Sequence, residues 1–269
     1  GSKLSIGNSS YGFINEGSGN KIISNMTSQS VGDNTVFVFS RDTSGTVINN
    51  TPLTSTGSLN YGLYSSGTVT NNANINYGSG IGNVGIYSTN GGTAVNSTGV
   101  TITVGESSVG NADPKENKYA IGMAAGYLNE KSGTIENFGT IQVTKDGSIG
   151  MYASGTGSRA INRGTIELSG KGVVGMYLDN NAVGENYGVI RTVPNAENNG
   201  IVGVAALNGS LLKNYGQIVI EAPESVGVYH TGGTLQEEAG TSITVTGEDS
   251  ERTRTSVLTD TSKGVKGIH

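Results

Sequence analysis

A short strand of one form recurs along this chain: an apolar residue, glycine, a second apolar residue, then an aromatic residue or alanine. It reads Ile121-Gly122-Met123-Ala124, Ile149-Gly150-Met151-Tyr152, Val174-Gly175-Met176-Tyr177, Val202-Gly203-Val204-Ala205 and Val226-Gly227-Val228-Tyr229. The steps between successive glycines are 28, 25, 28 and 24 residues. Earlier copies stand at Tyr61-Gly62-Leu63-Tyr64 and Val84-Gly85-Ile86-Tyr87, with looser ones at Tyr11-Gly12-Phe13-Ile14 and Val36-Phe37-Val38-Phe39. Self-similarity at such a period is the mark of a solenoid, in which each unit buries its apolar face against the next.

Each unit carries a further strand introduced by Asn-x-Gly. Examples are Asn137-Phe138-Gly139-Thr140-Ile141, Asn162-Arg163-Gly164-Thr165-Ile166, Asn186-Tyr187-Gly188-Val189-Ile190 and Asn214-Tyr215-Gly216-Gln217-Ile218. Two more copies, Gly99 to Val104 and Gly240 to Val245, have one extra residue before the strand. The isoleucine and the residue two places on share one side, and β-branched residues dominate, as in a strand with one buried face.

No window shows the apolar spacing of an amphipathic helix. A unit of about 25 residues is too short for a strand, a crossover helix and two loops, and suits three short strands joined by tight corners. The leucine frame of leucine-rich repeats is absent, and propeller blades need roughly 40 residues. The expectation is an all-β, right-handed parallel β-helix of about nine coils of 23–28 residues, about 4.8 Å apart, with one longer loop insertion.

Residues 1–2 read as a tag scar, 3–60 as less regular coils, 61–246 as the regular β-helix and 247–269 as a charged tail or partial coil. Ile141, Ile166, Ile190, Ile218 and Ile243 should form one interior ladder, and Met151, Met176, Val204 and Val228 another. Asn137, Asn162, Asn186 and Asn214 should stack at a corner, bonded amide to amide. The glycine two places on should supply the left-handed or tight backbone of that corner. A single coil cannot hold itself together, so stability comes from stacking. The open ends expose strand edges, which makes end-to-end self-association a candidate.

Glycine, 44 of 269 residues, with 14% charged and 34% hydrophobic residues, would by bulk composition suggest disorder, but the periodicity overrules it. A net charge of -5 offers no basic footprint for nucleic acid. No run is long and apolar enough for a membrane span, and no signal peptide opens the chain. The absence of cysteine suits a chain that crosses an oxidising compartment unfolded.

Between Gly85 and Gly122 the step is 37 residues, and the surplus falls in Gly105 to Lys118. This stretch contains Pro114 and the charges Glu106, Asp113, Lys115, Glu116 and Lys118, so it should protrude as a loop. Asp113, Lys115, Glu116 and Lys118 are the candidate partner-binding residues. The alternative is a tolerated insertion without a role.

Catalysis on such a scaffold needs acids clustered across neighbouring coils. Aligning the repeats instead puts Glu167 beside Arg191 as an outward ion pair, and leaves Asp146, Glu185 and Glu221 at corners without acidic partners. Two histidines, His230 and His269, supply neither a zinc site nor a catalytic triad. No catalytic residue, metal or cofactor is expected. Tyr64, Tyr87, Tyr152, Tyr177 and Tyr229 should point outward in a column interrupted by Ala124 and Ala205. They either cover the sheet or hold sugar faces.

The alternation of these glycine strands with Asn-x-Gly-Thr-Ile strands, clearest from Ile121 to Val245, resembles the passenger repeats of large bacterial autotransporter adhesins of the outer membrane, especially the fusobacterial type. The resemblance implies an extracellular, cell-surface β-helix, anchored through a translocator domain absent from this chain. It also implies adhesion to a host-cell surface glycan or protein, or to another bacterial surface. A purely mechanical spacer and a carbohydrate-active β-helix enzyme are the alternatives. The shared repeats identify a scaffold and carry no binding residue with them.

Overall fold

The computed structural model describes residues 4–127 and 131–255. Gly1-Ser2, His269 and the part of the expected tail beyond residue 255 lie outside the described residues. The chain is a parallel β-helix with three faces. The first face has ten strands, running from Tyr11–Asn15 to Glu251–Arg254. The second has nine, from Lys21–Ser24 to Thr234–Glu237, and the third nine, from Gln29–Val31 to Ser242–Thr246. Within each face every strand except the two at the ends lies between those of the coils before and after it, giving nine complete turns and the first strand of a tenth. No α-helix occurs among the described residues.

The isoleucine ladder forms in the expected register. Ile141 lies beside Ile166, Ile166 beside Ile190, Ile190 beside Ile218, and Ile218 beside Ile243. The same column reaches back through Ile102 and Ile75 to Leu53. On the first face Met151 lies beside Met176, followed by Val204 and Val228. These side chains belong to one continuous core that runs the length of the helix.

The asparagine ladder is longer than the sequence pattern indicated. Asn49, Asn71, Asn96, Asn137, Asn162, Asn186 and Asn214 end successive second-face strands and are fully buried. Each amide nitrogen donates to the Oδ1 of the next coil, at 2.8 to 3.0 Å, from Asn49 to Asn214. Burial of these polar groups is tolerated because the stack satisfies them.

The corner glycines act by closeness and not by handedness. None of Gly139, Gly164, Gly188 and Gly216 has a positive φ. A Cβ on Gly164 would sit 2.0 Å from the Gly139 carbonyl oxygen, and one on Gly188 2.0 Å from that of Gly164. The coils approach so tightly here that no side chain fits.

The first-face strands also depart from strict alternation. Met151 enters the interior core, whereas Ile149 packs with Tyr152 in a separate outer cluster. Gly150, between them, faces inward too, since a Cβ there would meet Ile166 Cγ2 at 3.0 Å. Two successive inward positions are possible because the first has no side chain.

The surplus length divides between two excursions. One coil measures 41 residues between Asn96 and Asn137, against 22 between Asn49 and Asn71. Residues 105–120 separate Thr101–Val104 from Ile121–Ala125, as expected, and a second connection, of which residues 126, 127 and 131–133 are described, leads from Ile121–Ala125 to Thr134–Asn137.

Candidate functional site

The first excursion is built on serine contacts at its base. Ser148 Oγ donates to the Gly105 carbonyl at 2.6 Å, and the Ala120 amide donates to Ser107 Oγ at 2.9 Å. Ser108 and Lys118 then pair antiparallel, closing the loop above. At its tip Pro114–Glu116 makes one 3-10 turn, capped by Asp113, whose carboxylate accepts from the Lys115 amide at 2.9 Å. Asp113, Lys115, Glu116 and Lys118 are all exposed, and none forms an ion pair among the described residues. The structure thus brings the four together on one projecting loop and gives Asp113 a turn-capping role.

The outer side of the first face carries a strip of aromatic rings. Contacts run from Tyr11 to Phe39 at 5.1 Å, Phe39 to Tyr64 at 4.9 Å and Tyr64 to Tyr87 at 4.6 Å. They continue from Tyr87 to Tyr127 at 6.0 Å, to Tyr152 at 5.5 Å and to Tyr177 at 5.4 Å. The expected interruption at Ala124 is therefore bridged by Tyr127, whose ring meets Tyr87 on one side and Tyr152 on the other. Tyr87 faces outward as expected, yet it is only 1% exposed, and its hydroxyl donates to the Tyr127 carbonyl. A tyrosine three places after the alanine was the one sequence sign of this repair. Burial pushes the Tyr127 phenol up to about 12, with help from neighbouring Tyr152 and Tyr119, and moves Tyr61 and Tyr177 in the same direction. These three phenols are uncharged at neutral pH.

At the N-terminal end of this strip the rings open into a hollow of about 360 Å³, walled by Tyr11, Phe39, Tyr61 and Tyr64 and rimmed by Ser9, Ser10 and Asn34. Its volume lies within the range of roughly 300–1,000 Å³ usual for small-molecule sites. A second hollow of about 340 Å³ shares Phe39 and Tyr64 and has Arg41 and Lys131 on its wall.

Carboxylates are dispersed. Glu167 accepts from Arg191 at 2.7 Å and from the Gln142 amide at 3.2 Å, which makes the expected outward pair part of a row on the third face. Glu185 does not sit at a corner. It lies within Val183–Asn186, buried, and accepts from Arg159 at 2.6 Å and from the Tyr187 hydroxyl at 3.0 Å. Burial raises its pKa, but Arg159, Tyr187 and Lys213 outweigh that and hold the carboxyl below its ordinary value. Among the described residues no three His, Cys, Asp or Glu side chains gather as a metal site. Nor is any helix there long and apolar enough to cross a membrane.

Residues 77–186 match the family described as the BigA third pectate lyase-like domain. The match runs from the end of the third coil to Asn186 in the seventh and includes the 105–118 loop, but it spans less than half of the 269 residues. No curated protein and no solved structure matches the chain. The match and the observed fold agree on a parallel β-helix.

Proposed function

We propose that this chain is a segment of a bacterial surface autotransporter passenger, displayed outside the cell and acting in adhesion without catalysis. The observation that carries the reading is the division between inside and outside. The interior columns are almost wholly apolar side chains and bonded amides, and they make a continuous rod. The aromatic strip and the charged 105–118 loop lie outside it. The family match supports a β-helix domain of this kind, and the resemblance of the repeats supports the passenger assignment. A host-cell surface or another bacterial surface is the partner.

The test is to coat a surface with the purified chain and count host cells and bacteria retained, beside a fourfold variant with Asp113→Ser, Lys115→Ser, Glu116→Ser and Lys118→Ser. Retention by the native chain supports adhesion, and its loss in the variant places the contact on the loop. No retention of any cell type would reduce the segment to a spacer. Release of reducing ends from a polysaccharide panel would replace the reading with an enzymatic one.

A further inference from the structure

Three coils at the start of the helix build something that the later coils lack. The residue that opens the first-face corner has a left-handed backbone in coil after coil, and in the middle of the rod it is glycine, as at Gly82, Gly147, Gly172 and Gly200. In the first three coils the place is taken by Ser9 (φ 54), Asn34 (φ 51) and Leu59 (φ 60). Near the far end Glu224 and Asp249 take it, but Leu59 is the one apolar residue among the described residues to do so, and it is 42% exposed. A branched side chain in that conformation is strained, and such strain collects at binding sites. Ser9, Asn34 and Leu59 all line the 360 Å³ hollow, together with Tyr11, Phe39 and Tyr61.

The lining defines the ligand. Aromatic rings offer faces and edges to C–H groups, the serine hydroxyls and the Asn34 amide both donate and accept, and no charged side chain takes part. A flat molecule with one apolar face and a rim of hydroxyls fits that set, which is the chemistry of a sugar ring. Resting on the adhesive reading above and specifying its ligand, we propose that this hollow binds a neutral oligosaccharide, one ring of which lies against Tyr11 and Tyr61 within reach of Asn34. The neighbouring hollow shares Phe39 and Tyr64 but differs in carrying Arg41 and Lys131.

The experiment uses the full chain, a panel of immobilised neutral and acidic oligosaccharides, and calorimetric titration of the strongest neutral binder. Tyr11→Ser and Tyr61→Ser should each weaken binding about tenfold, the loss of one ring contact. Leu59→Gly should weaken it while leaving the β-rich circular dichroism intact. Tyr215→Ser, in the separate stack with Tyr187 on another corner, should change nothing. Binding that is unaffected by Tyr11→Ser and Leu59→Gly in folded protein would overturn the assignment. So would a panel response confined to acidic sugars and abolished by Arg41→Gln, which would move the site to the basic hollow. Cells retained by the native chain with no oligosaccharide bound would sink this assignment and leave adhesion standing. Oligosaccharide binding without cell retention would do the reverse.

Discussion

Gly150 on the first face and Ile166 on the third are two halves of one steric fit. A Cβ on Gly150 would stand 3.0 Å from the Ile166 Cγ2 and 2.6 Å from the Gly175 carbonyl oxygen. The arrangement repeats at Gly122 with Ile141, Gly175 with Ile190, Gly203 with Ile218 and Gly227 with Ile243. The period of the glycines and the period of the isoleucines are thus one constraint, since each isoleucine fills the space its glycine leaves.

Gly150→Ala should therefore destabilise the protein by roughly 1–3 kcal/mol, because neither the facing isoleucine nor the next coil's backbone has room to retreat. Gly7→Ala, where a Cβ would meet nothing nearer than Ser10 Oγ at 3.7 Å, is the control and should melt with the native protein. Thermal melts followed by circular dichroism compare the two. Equal melting temperatures would mean that the fit is looser than the geometry states.

In the asparagine ladder Asn162 accepts from Asn137 at 3.0 Å and donates to Asn186 at 2.9 Å. Asn162→Ala leaves a buried donor on one side and a buried acceptor on the other, at a cost of roughly 2–4 kcal/mol. Urea unfolding should show the midpoint falling accordingly, with a smaller fall for Asn214→Ala, where only the acceptor side and a contact to Gly216 are lost.

Tyr77 breaks the rule that buried polar groups are paired. Its ring is in the core, 1% exposed, and its hydroxyl has no hydrogen-bond partner. Tyr77→Phe should raise stability by roughly 1 kcal/mol by removing the unsatisfied group. A lower melting temperature in the variant would reveal a partner for the hydroxyl.

The Glu185 carboxyl predicts a pH dependence. Its pKa is lowered in the folded state, so the stability it contributes is present above the ordinary glutamate value of about 4.3 and is lost as pH falls through the folded value. Arg159→Gln removes its main counter-charge. Arg159 is 44% exposed, so the cost at neutral pH is about 1 kcal/mol or less. The difference between variant and native should shrink toward zero in acid. A difference in melting temperature that persists unchanged at low pH would assign the effect to packing.

The stacking was legible in the sequence because a solenoid writes its register into the chain. Residues that meet across coils are one period apart, so Ile141 and Ile166, or Asn137 and Asn162, name each other without any knowledge of the fold. The same reading missed Asn49, Asn71 and Asn96, whose corners lack the Asn-x-Gly spelling and whose coils differ in length. It also missed the inward turn of Gly150, because periodicity of two assumes a strand without a bulge.

What the sequence determined by itself was the repeat, the identity of its interior columns and the place of the 105–118 insertion. All of these follow from local chemistry recurring at a fixed interval. Only the tertiary structure decided what crosses between coils out of period: Tyr127 closing the aromatic strip over Ala124, and Arg159 reaching Glu185. Those contacts depend on where excursions fold back and which way side chains lean. Neither leaves a periodic trace, because each occurs once.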